Sequence, residues 1–170
     1  MRLKIPMREF QNKTYWIVGA SEGLGRALAI QLAKVGAKVI ISARSEERLI
    51  GLSEEIGSNT MVLPMDVSDR SSVQKAFSKL PKSLDGFIFV SGVYWHMSAS
   101  SWDETKAEEM VDVNLVGAMR CLAHLIPNFI NQGFGHIVLT GSIAGYRGLP
   151  GSVGYCASKA GLMSLAETLK

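Results

Sequence analysis

Tyr155 and Lys159 stand four residues apart in Tyr155-Cys156-Ala157-Ser158-Lys159, a spacing that puts a phenol and an ammonium on one face of a helix. A phenol titrates near 10 and is by itself a poor base at neutral pH. A cation about 4 Å away, at an effective dielectric of about 20, favours the phenolate by up to ~4 kcal/mol. The pair is thereby suited to giving and taking a proton near neutrality. Such pairs also arise by chance on solvated helix faces, so the surroundings decide. Ser142 follows an apolar strand pattern in Thr140-Gly141-Ser142-Ile143-Ala144-Gly145, where it is either a turn hydroxyl or a polar group at the carboxyl edge at which open α/β sheets bind ligands. Asn114 interrupts the apolar stretch Val113-Asn114-Leu115-Val116-Gly117. A buried amide there needs partners, from the core or from a water-linked relay.

A second chemical feature precedes these. Gly19-Ala20-Ser21-Glu22-Gly23-Leu24-Gly25 joins a strand pattern to a helix pattern. Glycine lets the main chain approach a ligand with no Cβ in the way, and the helix that follows points free N–H groups at an anion such as a pyrophosphate. The spacing departs from the usual G-x-G-x-x-G, and a methyltransferase loop for S-adenosylmethionine remains an alternative. The next strand ends in Ser42-Ala43-Arg44, with no carboxylate before Glu46. A carboxylate there would serve ribose hydroxyls and repel a 2′-phosphate, whereas a guanidinium binds a phosphate bidentately. NADP(H) is therefore favoured over NAD(H), with Glu22 an opposing charge near the same pocket.

The elements that must position these residues alternate along the chain. Strands are predicted over 14–18, 38–42, 60–63, 87–90 and 136–140. Helices are predicted over 24–35 (stripe Leu24, Leu28, Leu32, Val35), over 46–56 behind a Ser45 cap, and from a Ser68 or Asp69 cap towards Leu80. A long helix is predicted from a Ser101–Glu104 capping box to about Asn131, bent near Pro127, and a last helix from Val153 onward. Continuous apolar strands suit a parallel sheet buried on both faces, hence a doubly wound, Rossmann-type α/β fold. No linker divides it, so residues 1–170 read as a single dinucleotide-binding domain.

Composition is consistent with that reading. Of 170 residues 47% are apolar, and 18 Lys and Arg against 15 Asp and Glu leave a charge of only +3. That balance gives no argument for nucleic acid. No unbroken apolar run reaches the ~18 residues of a membrane span, and charges scattered through Met1 to Glu9 do not form a secretion signal. Two cysteines make no disulfide framework, which points to a cytoplasmic location. His96, His124 and His136 lack metal-ligand spacing, so no metal is expected. Tyr94-Trp95-His96-Met97 is either pocket lining or core.

Taken together, the motifs resemble the short-chain dehydrogenase/reductase family, in family order and from about Lys13 to Lys170. The matching positions are Gly19 to Gly25, Asp66-Val67 after the third strand, Gly92, Asn114, Ser142, Tyr155 and Lys159. The resemblance implies Tyr155 as the acid/base, Lys159 on the nicotinamide ribose and Ser142 on the substrate oxygen. It further implies Asn114 holding a relay water, Asp66 and Val67 beside the adenine, and a small-molecule carbonyl or alcohol as substrate. It implies a homo-oligomer for a full-length enzyme. Val18 replaces the family threonine, and Phe89-Val90-Ser91-Gly92 keeps only the glycine of the family's Asn-Asn-Ala-Gly. Family members extend past the Tyr155 helix, so the chain reads as incomplete at its C-terminus. A dinucleotide-binding or regulatory module without turnover is the alternative.

Overall fold

A computed structural model describes residues 9–169. The charged start, 1–8, and Lys170 lie outside the described residues. Five parallel strands form one sheet in the order β3-β2-β1-β4-β5: β1 (Thr14–Val18), β2 (Lys38–Ser42), β3 (Thr60–Val62), β4 (Gly86–Phe89) and β5 (Ile137–Leu139). Strand side chains alternate between faces, and the sheet uses this to build two cores. Tyr15, Ile17, Val39, Ile41 and Ile88 meet α1 (Gly23–Lys34) and α2 (Glu46–Ile56) through Ala29, Leu32, Leu49 and Leu52. Trp16, Val18, Ile40, Phe87 and Phe89 meet α3 (Arg70–Ser78), α5 (Gly117–Gln132) and α6 (Val153–Thr168) through Val73, Leu122, Leu125 and Leu162. A residue pattern apolar on both faces thus yields the expected doubly wound sheet. Its order reverses between β1 and β4, where such sheets bind ligands.

Strand ends fall within one residue of expectation; the helices carry the informative differences. In α1 the expected stripe is rotated: Leu24 and Val35 are exposed, and Gly25, Ala29 and Leu32 are buried. The reason is close approach, because a Cβ on Gly25 would lie 2.0 Å from the Gly19 carbonyl oxygen. Asp69 is the cap of α3, its Oδ1 accepting from Ser71 N at 2.8 Å. The capping box sits one turn earlier than predicted. Ser98 and Ser101 satisfy each other's backbone N–H groups around a short 3-10 turn, while Asp103 caps α4 (Glu104–Val111) by accepting from Lys106 N.

The long helix is interrupted by a π turn at Asp112–Val116, not at Pro127, which lies inside α5. Arg120 secures this turn by pairing with Asp112 (2.6 Å) and donating to the Val67 carbonyl at 3.0 Å. The whole run Glu104–Gln132 is long and apolar enough to cross a membrane by length and composition. Its apolar face is nevertheless packed in the sheet core through Leu122, Leu125 and Phe129.

Phe87 is the central plug, fully buried and in ring contact with both Trp16 and Phe89. Phe87→Ala is expected to lower unfolding free energy in urea titration by about 3–5 kcal/mol, the cost of an aromatic cavity.

Candidate active site

The first half of the site is a cleft at the carboxyl ends of β1, β2, β3 and β4, lined among others by Gly19, Ser21, Arg44, Asp66, Val67 and Gly92. Gly19 holds it open. Its φ of +99° disfavours any side chain, and a Cβ there would meet the Ser91 nitrogen at 2.5 Å. Its N–H and that of Ala20 both donate to the Ser42 carbonyl, which fixes the turn against β2. Glu22 precedes α1 without making a side-chain cap bond, so the first-turn N–H groups keep their capacity for an anion. Gly23 has open space around it, while Gly25 and exposed Leu24 serve the turn and helix without lining the cleft.

At the end of β2 the exposed Arg44 faces the same cleft, joined by Arg48, which sequence reasoning did not single out. Glu22 forms an ion pair with Arg48 Nη1. Asp66 is held in a turn, its Oδ1 accepting from Ser68 N (2.9 Å) and Ser68 Oγ (2.6 Å). The glycine cradle, the open helix end and the two guanidiniums fit a phosphate-bearing dinucleotide.

The second half lies on α6 and the elements packed on it. Lys159 is 4% exposed, and its Nζ donates to the Thr140 carbonyl at 2.8 Å. Burial lowers the Lys159 pKa below its ordinary 10.5. The ammonium lies 5.7 Å from the centre of the Tyr155 ring. That ring also packs against the cluster of Met97, Ala107 and Met110 and meets Tyr94 edge-to-face at 5.1 Å, whose hydroxyl is 3.2 Å from Ser152 Oγ. Asn114 is completely buried: Oδ1 accepts from Val93 N at 2.7 Å, and Nδ2 donates to the Val93 carbonyl (3.0 Å) and Ser158 Oγ (3.1 Å).

Gly92 joins the two halves. It lines the cleft, and its missing Cβ would sit 3.3 Å from Asn114 Oδ1 and 3.9 Å from Lys159 Nζ. Ser142 caps the 3-10 turn Ile143–Gly145 by accepting from Ala144 N, which leaves its O–H free to donate to another acceptor. That turn rests on α6 because Gly145 has only Met163 and the Lys159 backbone where a Cβ would be. Ser158, Val93 and Thr140 are the positioning groups that sequence reasoning missed. The one signal for them was the placement of Ser158 one turn beyond Tyr155, on the face that meets Asn114. Cys156 accepts from Leu149 N, and burial pushes the Cys121 thiol up to about 12, so both serve packing. No metal-ligating group of three occurs among the described residues.

A parallel sheet flanked by helices, with a glycine-lined cleft at its switch point and a Tyr–Lys pair beside it, is a Rossmann-type α/β arrangement. Residues 13–170 match the short chain dehydrogenase family model, and the chain belongs to that family. It is 34% identical over 167 residues to an uncharacterized oxidoreductase of Listeria monocytogenes, spanning 94% of this chain and 67% of that one. It is 32% identical over 163 residues to the 3-oxoacyl-[acyl-carrier-protein] reductase FabG of Rickettsia typhi, with 96% and 67% covered. Among solved structures, serine dehydrogenase from Escherichia coli superposes with a TM-score of 0.88 at 28% identity, over 92% of this chain and 74% of that one. The chain therefore spans about two thirds of the length of the curated relatives it matches. It is an oxidoreductase of CH–OH and C=O groups by family, and the family binds nicotinamide dinucleotides.

The buried ammonium has a consequence for stability. Between its lowered pKa and 10.5 the unfolded chain binds the proton that the folded chain has released, so stability rises with pH through that window. Relative to Lys159→Met, the wild-type protein is expected to gain stability as pH rises towards 10.5, read from urea midpoints. A flat difference between the two proteins would contradict the assignment.

Proposed function

We propose that the protein interconverts a carbonyl and its alcohol, using NADP(H) and Tyr155 as the acid/base. The observation that carries this reading is the buried Lys159 ammonium beside the Tyr155 ring, at the end of the nucleotide cleft marked by Gly92. A bound nicotinamide supplies or accepts the hydride at the substrate carbon. Tyr155 then gives its phenolic proton to the substrate oxygen on reduction and takes it back on oxidation. Lys159 favours the phenolate electrostatically and holds the nicotinamide ribose. The Ser142 hydroxyl donates to the substrate oxygen and steadies the charge that develops there. The Asn114 side chain is committed to Val93 and Ser158, so the relay water falls to the main chain of the π turn.

Gly19, Ser21, Gly23, Leu24 and Gly25 form the turn for the dinucleotide phosphates, with Asp66 and Val67 at the adenine. Arg44, with no carboxylate at the end of β2, selects the 2′-phosphate. Residues 1–170 act as one dinucleotide-binding domain of a cytoplasmic enzyme. The apolar groove between α4 and α6, lined by exposed Trp102 and half-buried Val111, Val116 and Val153, supports homo-oligomerisation. A 3-oxoacyl thioester is the first carbonyl to test, given the likeness to 3-oxoacyl-[acyl-carrier-protein] reductases.

Two measurements check the reading. Tyr155→Phe is expected to keep nucleotide affinity while carbonyl reduction falls by roughly 10²–10⁴; near-normal turnover would remove the tyrosine assignment. Arg44→Ala is expected to weaken NADPH binding and leave NADH binding unchanged in fluorescence titration. Nucleotide binding without turnover on any of a panel of carbonyls would favour a binding module instead.

A further inference from the structure

We propose that Glu22 and Arg48 form a charge-cancelling pair that sets nucleotide preference, Arg48 shielding an incoming 2′-phosphate from the Glu22 carboxylate. The inference rests on the NADP(H) reading and assigns that same cleft its second specificity element. Both residues line the cleft together with Arg44 and Ser45. Glu22, at the start of α1, does not cap its own helix. Its carboxylate instead crosses to Arg48 in the first turn of α2, where they make an ion pair.

The backbone at Arg48 is fixed on two sides. Its N–H donates to the Ser45 cap, and the next residue, Leu49, is fully buried. The pair itself is exposed, with side-chain exposures of 74% for Glu22 and 59% for Arg48, so it contributes little to folding. Its effect falls on the cleft. Arg44, Arg48 and Glu22 together carry +1, which the Asp66 carboxylate of the same cleft brings to neutral. Without Arg48 the lining carries −1, and a phosphate dianion meets net repulsion. An unphosphorylated ribose has no charge there to feel the difference.

A second α1–α2 ion pair, Arg26–Glu55, joins the same two helices without lining the cleft. It serves as an internal control for any effect transmitted through helix packing.

The test is equilibrium titration of NADPH and NADH by fluorescence on wild type, Arg48→Gln, Glu22→Gln, the double variant, Glu55→Gln and Arg44→Gln. Arg48→Gln is expected to weaken NADPH about tenfold, the scale of a lost charge-assisted contact, and to leave NADH within about twofold. Glu22→Gln is expected to tighten NADPH severalfold, and the double variant to return close to wild type, because the loss in Arg48→Gln is an uncovered carboxylate. Glu55→Gln is expected to change neither nucleotide. Equal losses for both nucleotides, failure of Glu22→Gln to rescue Arg48→Gln, or an effect from Glu55→Gln equal to that of Glu22→Gln would each overturn the pair's role. Arg44→Gln separates the two levels. An unchanged NADPH-to-NADH ratio in that variant removes the NADP(H) reading itself, whereas a selective loss there with inert pair variants removes only this inference.

Discussion

The arrangement of the site depends on one buried amide. Asn114 has no contact with solvent and makes three hydrogen bonds, two to Val93 and one to Ser158. Leaving any one of these groups buried and unpaired costs about 1–3 kcal/mol. The amide therefore has effectively one permitted setting. That setting ties together three pieces of chain: the segment leaving β4, the π turn, and α6 one residue before Lys159. An ordinary α-helix through residues 112–116 would aim position 114 differently, and π turns of this sort accompany functional sites for that reason. Arg120 closes the same turn onto the Val67 carbonyl, so the Val67 side of the cleft and the Tyr–Lys side share one brace.

Close backbone approach lets α6 carry its chemistry. A Cβ on Gly154 would come within 2.7 Å of the Ala107 carbonyl oxygen, and one on Gly161 within 2.7 Å of Leu115. The helix thus nests on α4 and the π turn, with Lys159 driven inward to the Thr140 carbonyl. No carboxylate ion pair is formed by that ammonium among the described residues. Its charge remains available to the phenol beside it, at the cost in stability that its lowered pKa expresses.

Much of this was legible from residue types. The runs at Thr14–Val18 and Lys38–Ser42 are apolar on both faces, which leaves a central parallel strand as their one comfortable place. Strand order and the position of the cleft follow from the alternation. Misplaced features turn on interactions between segments far apart in sequence. The α1 stripe was rotated because Gly25 must reach Gly19, and apolar periodicity does not register a backbone contact. The capping box moved because Asp103, directly before Glu104, outcompetes Ser101 as a cap, a choice between neighbouring candidates that composition leaves open. Proline suggested the break in the long helix, yet the break follows the amide at Asn114. The partners of Asn114 are backbone groups of Val93 and the Ser158 hydroxyl 44 residues away; the spacing of Ser158 from Tyr155 hints at the second, and nothing in the sequence marks the first. Glu22 was visible as an opposing charge; its pairing with Arg48 needed the two helix ends in space.

Hydrogen exchange at the Val93 amide tests the amide brace most directly. That N–H donates to Asn114 Oδ1, while the neighbouring Val90 N–H is held by the Val18 carbonyl of β1. In Asn114→Ala, Val93 is predicted to exchange at least about tenfold faster, the kinetic equivalent of one lost buried bond, with Val90 unchanged. Equal rates at Val93 in the two proteins, or equal acceleration at Val93 and Val90, would contradict a local brace at Asn114.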